Sequence, residues 1–223
     1  MRTDVGGRRR QGVVRALAVC GWVMVVVSPA SSAMFSAQQI HRGIMVEQGS
    51  DTRGRLVYNG WFRRSDEPAF TYRQGGDAVA GVWMTGPEAF VVRSGTTESA
   101  PVIGRIVPSW DDQRLRLTIE PTGKAAVRTT FFSRSSDAGD VALDHSKMTR
   151  AALQGSYRAT LKSTGDADAG WLSVEIEPDG GTRFSGDLPP DIPPALAAAA
   201  AAAIDGEVTR IYSSLDDVGP SHR

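Results

Sequence analysis

The chain holds one cysteine in 223 residues, Cys20. That residue sits in a segment that reads as a removable leader. A disulfide framework and thiol chemistry are therefore excluded from the mature form. Histidine is almost as scarce, with His41, His145 and His222 alone. There is no HExxH pair and no cysteine cluster, so the sequence gives no transition-metal site. It has no GxSxG elbow and no glycine-rich phosphate loop. Asp144-His145-Ser146 sets triad residue types side by side, but triads assemble from distant segments, so adjacency carries nothing. No catalytic residue, metal or cofactor is assigned.

What is present starts with an address. Arg2, Arg8, Arg9, Arg10 and Arg15 precede the apolar run Ala16 to Val27, which ends in the small residues SPASSA. A bilayer span needs roughly 20 apolar residues, so this run reads as a secretory signal over 1–33. The expected location is periplasmic or extracellular, with membrane contact only through the signal. Its removal takes five arginines and Asp4, leaving 20 basic and 24 acidic residues, a net charge of −4. That balance gives no electrostatic reason to expect nucleic acid as a partner.

Beyond the leader, short apolar segments are broken by Gly, Pro, Asp and Ser, the grammar of a β-rich domain. Strands are predicted at 55–62, 70–73, 78–84, 89–93, 102–107, 114–120, 125–133, 156–162, 171–177, 182–188 and 207–214. No long amphipathic helices alternate with them, so the expected class is all-β, an antiparallel meander forming a sandwich or a barrel or half-barrel. One domain over 34–215 is expected, as two similar halves (34–135 and 150–215) around a linker at 136–149. The tail, 216–223, reads as disordered.

The halves share a written turn, since LRLTIEPTG (115–123) and LSVEIEPDG (172–180) match at Leu115/Leu172, Ile119/Ile176, Glu120/Glu177, Pro121/Pro178 and Gly123/Gly180. Proline presets the second turn position and glycine accepts a left-handed backbone, so both copies predict tight type I hairpins. The polar stretch 133–150 predicts a short helical piece near Ala142. One segment breaks the β pattern: PPDIPPALAAAAAAAIDG predicts a short alanine-rich helix of about eleven residues, started at Pro193 or Pro194 and stopped by Gly206.

Three constellations are candidates for chemistry. Asp166, Asp168 and Glu177 fall at calcium-loop offsets, although Trp171 stands where such a loop needs glycine. Glu120 and Glu177 would make a carboxylate pair for hydrolysis if the hairpins packed symmetrically. The aromatics Tyr58, Trp61, Phe62, Phe132 and Trp171 put large rings on both sides of the sheet, which suits an aromatic or apolar binding surface. The segment GRLVYNGWFRRSDEPAFTYR, residues 54–73, is similar to the opening hairpins of periplasmic lipoprotein-carrier half-barrels. That resemblance stops at the segment and brings no functional residue with it; it implies a carrier with an apolar cavity. The leading expectation is an exported, non-catalytic binding module for a small molecule, glycan, peptide or lipid. The lipid or lipoprotein carrier and a carboxylate hydrolase are the alternatives.

Overall fold

Alternating apolar and polar residues lay most of the chain down as strand, because successive side chains in extended backbone point to opposite faces. The computed structural model describes residues 33–49, 52–60, 64–86, 89–134, 141–143 and 149–215. The first run of strands is β1 (Ala33–Ile40), β2 (Gly43–Gln48), β3 (Thr52–Tyr58), β4 (Phe70–Gln74), β5 (Asp77–Met84) and β6 (Phe90–Arg93). It continues as β7 (Val102–Asp111), β8 (Arg114–Pro121) and β9 (Val127–Thr129). Two short pieces follow, β10 (Ser133–Arg134) and β11 (Val141–Ala142), then the one-turn helix α1 (Arg150–Leu153). The chain closes with β12 (Gly155–Ser163), β13 (Asp168–Ile176), β14 (Thr182–Leu188) and the helix α2 (Pro194–Ser214).

Each strand from β1 to β9 pairs antiparallel with the next, as do β12, β13 and β14. Two further antiparallel pairings close the ring: β14 joins β1, and β9 joins β12. The result is a 12-strand barrel with β10 and β11 attached beside β12. Both halves of the chain thus share one sheet. Inward rows are apolar, as in β8 with Leu115, Leu117 and Ile119 and in β13 with Leu172, Val174 and Ile176, all at most 2% exposed. Outward rows carry exposed charge such as Arg55, Arg73, Arg105 and Glu175. A lipid-facing barrel has the reverse arrangement.

The lumen holds α2. Every residue from Ala195 to Ile204 is buried, and the helix packs against β1, β2 and β3 on one side and β6, β7 and β8 on another. A helix that is apolar all round belongs inside a protein, and alanine lets the walls come close. At Gly104 in β7, a Cβ would meet Leu196 Cδ2 at 2.7 Å and the Glu120 carbonyl oxygen at 2.9 Å. The antiparallel order fixes the direction of travel. The helix enters at the rim where β8 and β14 end (the upper rim), where Lys124 pairs with Asp191 at 3.3 Å and Gln48 Nε2 donates to the Ile192 carbonyl. It leaves at the lower rim, where Thr182 Oγ1 donates to Asp205 at 2.6 Å and Trp110 Nε1 to Glu207 at 2.8 Å.

Several expectations need correction. Residues 207–214 are helical, and α2 is 21 residues long, about 31 Å, not the short helix expected. Gly206 does not stop it, because Ile204, Val208 and Ile211 continue a buried stripe at helical spacing. β1 and β2 lie where no strand was predicted; Phe35, Ala37, Ile44 and Val46 are their inward row. Ala142 belongs to β11, not to a helical piece. The linker region also supplies Leu143 to the core, wedged by backbone hydrogen bonds to Leu115 and Phe132. That wedge breaks the predicted strand 125–133 into β9 and β10. Of the predicted strand 55–62, residues 55–58 lie in β3, and Trp61 and Phe62 lie outside the described residues.

The repeated turn is built in two ways. At Glu177–Gly180 the Gly180 N–H donates to the Glu177 carbonyl at 3.0 Å, with Gly180 at φ 87°. This is the predicted type of hairpin closure. In the first copy Pro121 stays in the strand, opposite Gly104. There the Lys124 N–H donates to the Pro121 carbonyl at 3.3 Å, so the corner falls one residue later.

Candidate binding surface

The barrel wall has one thin place. β9 is three residues long. It meets β8 through Thr118↔Arg128 and Ile119↔Val127, and β12 through Leu161↔Thr129, Lys162↔Arg128 and Ser163↔Val127. On the outer face of this seam lies a hollow of about 360 Å³, bordered by Arg116, Thr118, Arg128, Thr130, Lys162 and Thr164, among others. Asp166 also borders it, on the turn before β13, at φ 61°.

Aromatic rings flank the seam, each with a guanidinium over it. The Arg116 guanidinium carbon stands 4.0 Å from the Phe131 ring centre and that of Arg114 5.4 Å. Arg158 of β12 stands 4.2 Å from the ring centre of Trp171 on β13. Arginine stacked this way keeps its in-plane N–H groups directed sideways, free to take an oxygen ligand. Arg116 also reaches Asp111 at 3.4 Å, while its Nε is buried without a hydrogen-bond partner. Lys162 is tied to Asp168 by a short ion pair. Arg128 is exposed and has no ion pair or hydrogen bond among the described residues.

The aromatics read from the sequence do not gather in one place. Trp171 is half-buried on this outer wall. Phe132 is fully buried in the core, because the break in the strand at 130–132 reverses the facing: Phe132 turns in and Phe131 turns out. Tyr58 ends β3 at the lower rim, its ring 5.4 Å from Phe70. Trp61 and Phe62 fall in the undescribed segment 61–63. Trp83 is buried, with the Arg93 guanidinium carbon 5.6 Å from its ring centre, and Arg93 donates to the Ala100 carbonyl at 2.8 Å. The sequence reading missed Phe131, Arg116, Arg128 and Lys162, whose proximity depends on the β8–β9–β12 register.

The carboxylates are dispersed. β8 and β13 run in opposite directions with β9 and β12 between them, which puts Glu120 at the upper rim and Glu177 at the lower. The two cannot flank one scissile bond. Asp166 and Asp168 stand at the top of β13, and Glu177, paired with Arg183 at 2.7 Å, follows its far end. A nine-residue strand separates them by about 30 Å, too far for one calcium ion. The candidate histidines His145 and His222, with Asp144 and Ser146, lie outside the described residues. His41 sits in the β1–β2 turn, its carbonyl accepting from Arg55 at 3.2 Å.

Among the described ionisable groups, burial raises three pKa values. Asp205 rises because α2 carries it into the lower rim, with the Thr182 hydrogen bond opposing. Tyr72 rises by burial in the lumen. Tyr157 rises by burial too, opposed by the Arg134 charge. None of the three borders the seam hollow. Comparison with protein-family models, curated proteins and solved structures finds no match for this chain.

Proposed function

We propose that the protein is exported and acts as a non-catalytic binding module. Its ligand lies on the outer wall, across Trp171, Arg158, Phe131 and Arg116. The observation that carries this reading is the occupied lumen. With Ala195–Ile204 buried inside the ring, the apolar interior is committed to α2, and a carrier would have to expel that helix before loading. The seam hollow, with stacked rings and cations at its border, is open to solvent and needs no such rearrangement.

The test is native mass spectrometry of residues 34–223 secreted from an exporting host, followed by screening against immobilised oligosaccharides and peptides. The expected result is a ligand-free mass and a hit weakened by Trp171→Ala and by the milder Arg158→Gln. A stoichiometric lipid retained by both variants would replace this reading with the carrier.

A further inference from the structure

We propose that the seam takes an anionic oligosaccharide, a short sugar chain bearing sulfate, phosphate or uronate groups. This rests on the binding-module reading above and names its ligand. The central observation is a pair that the fold alone does not explain. Arg128 and Lys162 are direct cross-strand partners on the outer face. Like charges placed opposite each other on a sheet repel and weaken the pairing. Here they do so where the ring is held by the fewest pairs. Lys162 is relieved by Asp168; the Arg128 side chain has no ion pair or hydrogen bond among the described residues. An oxyanion between them would remove the repulsion and gain two charge-assisted hydrogen bonds.

The surroundings decide what carries the anion. Arg116 offers a third cation at the same hollow, fixed in place by Phe131. The mature chain is net negative, but three cations face the one carboxylate bordering the hollow, Asp166, and this local excess draws an anion here and not to the surface in general. The hydroxyls of Thr118 and Thr164 border the same space, matching a hydroxyl-rich ligand. From β8 to Trp171 on β13 the strip crosses three strand spacings, about 14 Å, too long for a free ion. An extended peptide would add to an open sheet edge, and the strands bordering the hollow, β8, β9 and β12, are each paired on both sides. A membrane would need protruding apolar groups, and Met34, Met45, Val79 and Met84, the large exposed apolar side chains among the described residues, all lie on other strands.

The experiment is isothermal titration of residues 34–223 at low salt with four probes: a heparin hexasaccharide, cellohexaose, sodium sulfate and a single-stranded DNA of similar charge. The expected result is binding of the hexasaccharide, weakening as salt rises. Arg128→Gln should lower that affinity about tenfold or more, while Arg55→Gln, on β3 at the opposite side of the ring, leaves it unchanged. Absence of hexasaccharide binding, equal affinity in Arg128→Gln, or equal loss in Arg55→Gln overturns the proposal. So does displacement by sulfate at matching concentration, or tighter binding of DNA. Cellohexaose bound through Trp171 and indifferent to Arg128→Gln would overturn the anionic ligand yet leave the binding module standing. A bound lipid with no probe binding removes both.

Discussion

Leu196 of the central helix lies directly over Gly104 of β7, with no room for a methyl group between them: a Cβ on residue 104 would stand 2.7 Å from Leu196 Cδ2 and 2.9 Å from the Glu120 carbonyl oxygen. The leucine can shift, but the paired backbone of β8 cannot. Gly104→Ala should therefore destabilise the protein by about 1–3 kcal/mol, the usual cost of overfilling a packed interior. Urea denaturation with an unchanged slope and a lower midpoint is the expected readout.

Gly206 gives the opposite sign. It lies inside α2, exposed, with nothing within 4 Å of where its Cβ would be. Alanine there relieves the entropy cost of helical glycine, so Gly206→Ala should stabilise by about 0.5–1 kcal/mol. A stabilisation of that size in thermal or urea unfolding checks that the helix runs through this residue; a hinge or stop at Gly206 would reverse it.

The twin corners separate by their neighbours. Gly123 and Gly180 both take positive φ, 73° and 87°, so alanine strains each by about 1 kcal/mol. At Gly180 the added Cβ also meets the Tyr212 ring at 3.3 Å, while at Gly123 it meets nothing. Gly180→Ala should thus cost more than Gly123→Ala in paired denaturation curves. It should also speed amide exchange near Tyr212, whose hydroxyl donates to the Pro178 carbonyl.

Asp205 sets a pH dependence. Burial raises its folded pKa above the unfolded value, so the folded state holds the proton more tightly. Its contribution to stability is then fully present below the unfolded carboxylate pKa and is lost as pH rises through the folded one. Asp205→Asn keeps an acceptor for the Thr182 hydroxyl and removes the titration. Urea midpoints measured from pH 3 upward should show the variant gaining on the wild type as pH climbs past the ordinary carboxylate range. Parallel curves would contradict this.

Much of the wall was legible because alternation is a local signal: Leu115, Leu117 and Ile119 turn inward, as their spacing requires. The end of α2 was not, since Val208, Thr209 and Ile211 are β-branched and read as strand until packing at the lower end of the barrel buries Val208 and Ile211 on one face of a helix. Phe132 lies in the core and not on a binding surface because Leu143, arriving from a polar stretch, breaks the strand between β9 and β10. The seam was illegible for a different reason. Trp171 stands out as a lone ring beside an apolar row, but Arg128 and Lys162 become neighbours only through the register of two strands distant in sequence, which no spacing encodes.

The helix that fills the ring follows all the strands that build it. During synthesis the wall's apolar lining is therefore made before anything exists to cover it, and β1 must wait for β14 to close the circle. Contacts so distant in sequence form slowly, and uncovered lining is prone to aggregation. Nascent chains halted before Pro194 would thus be the vulnerable species, needing a holding chaperone until the final segment arrives.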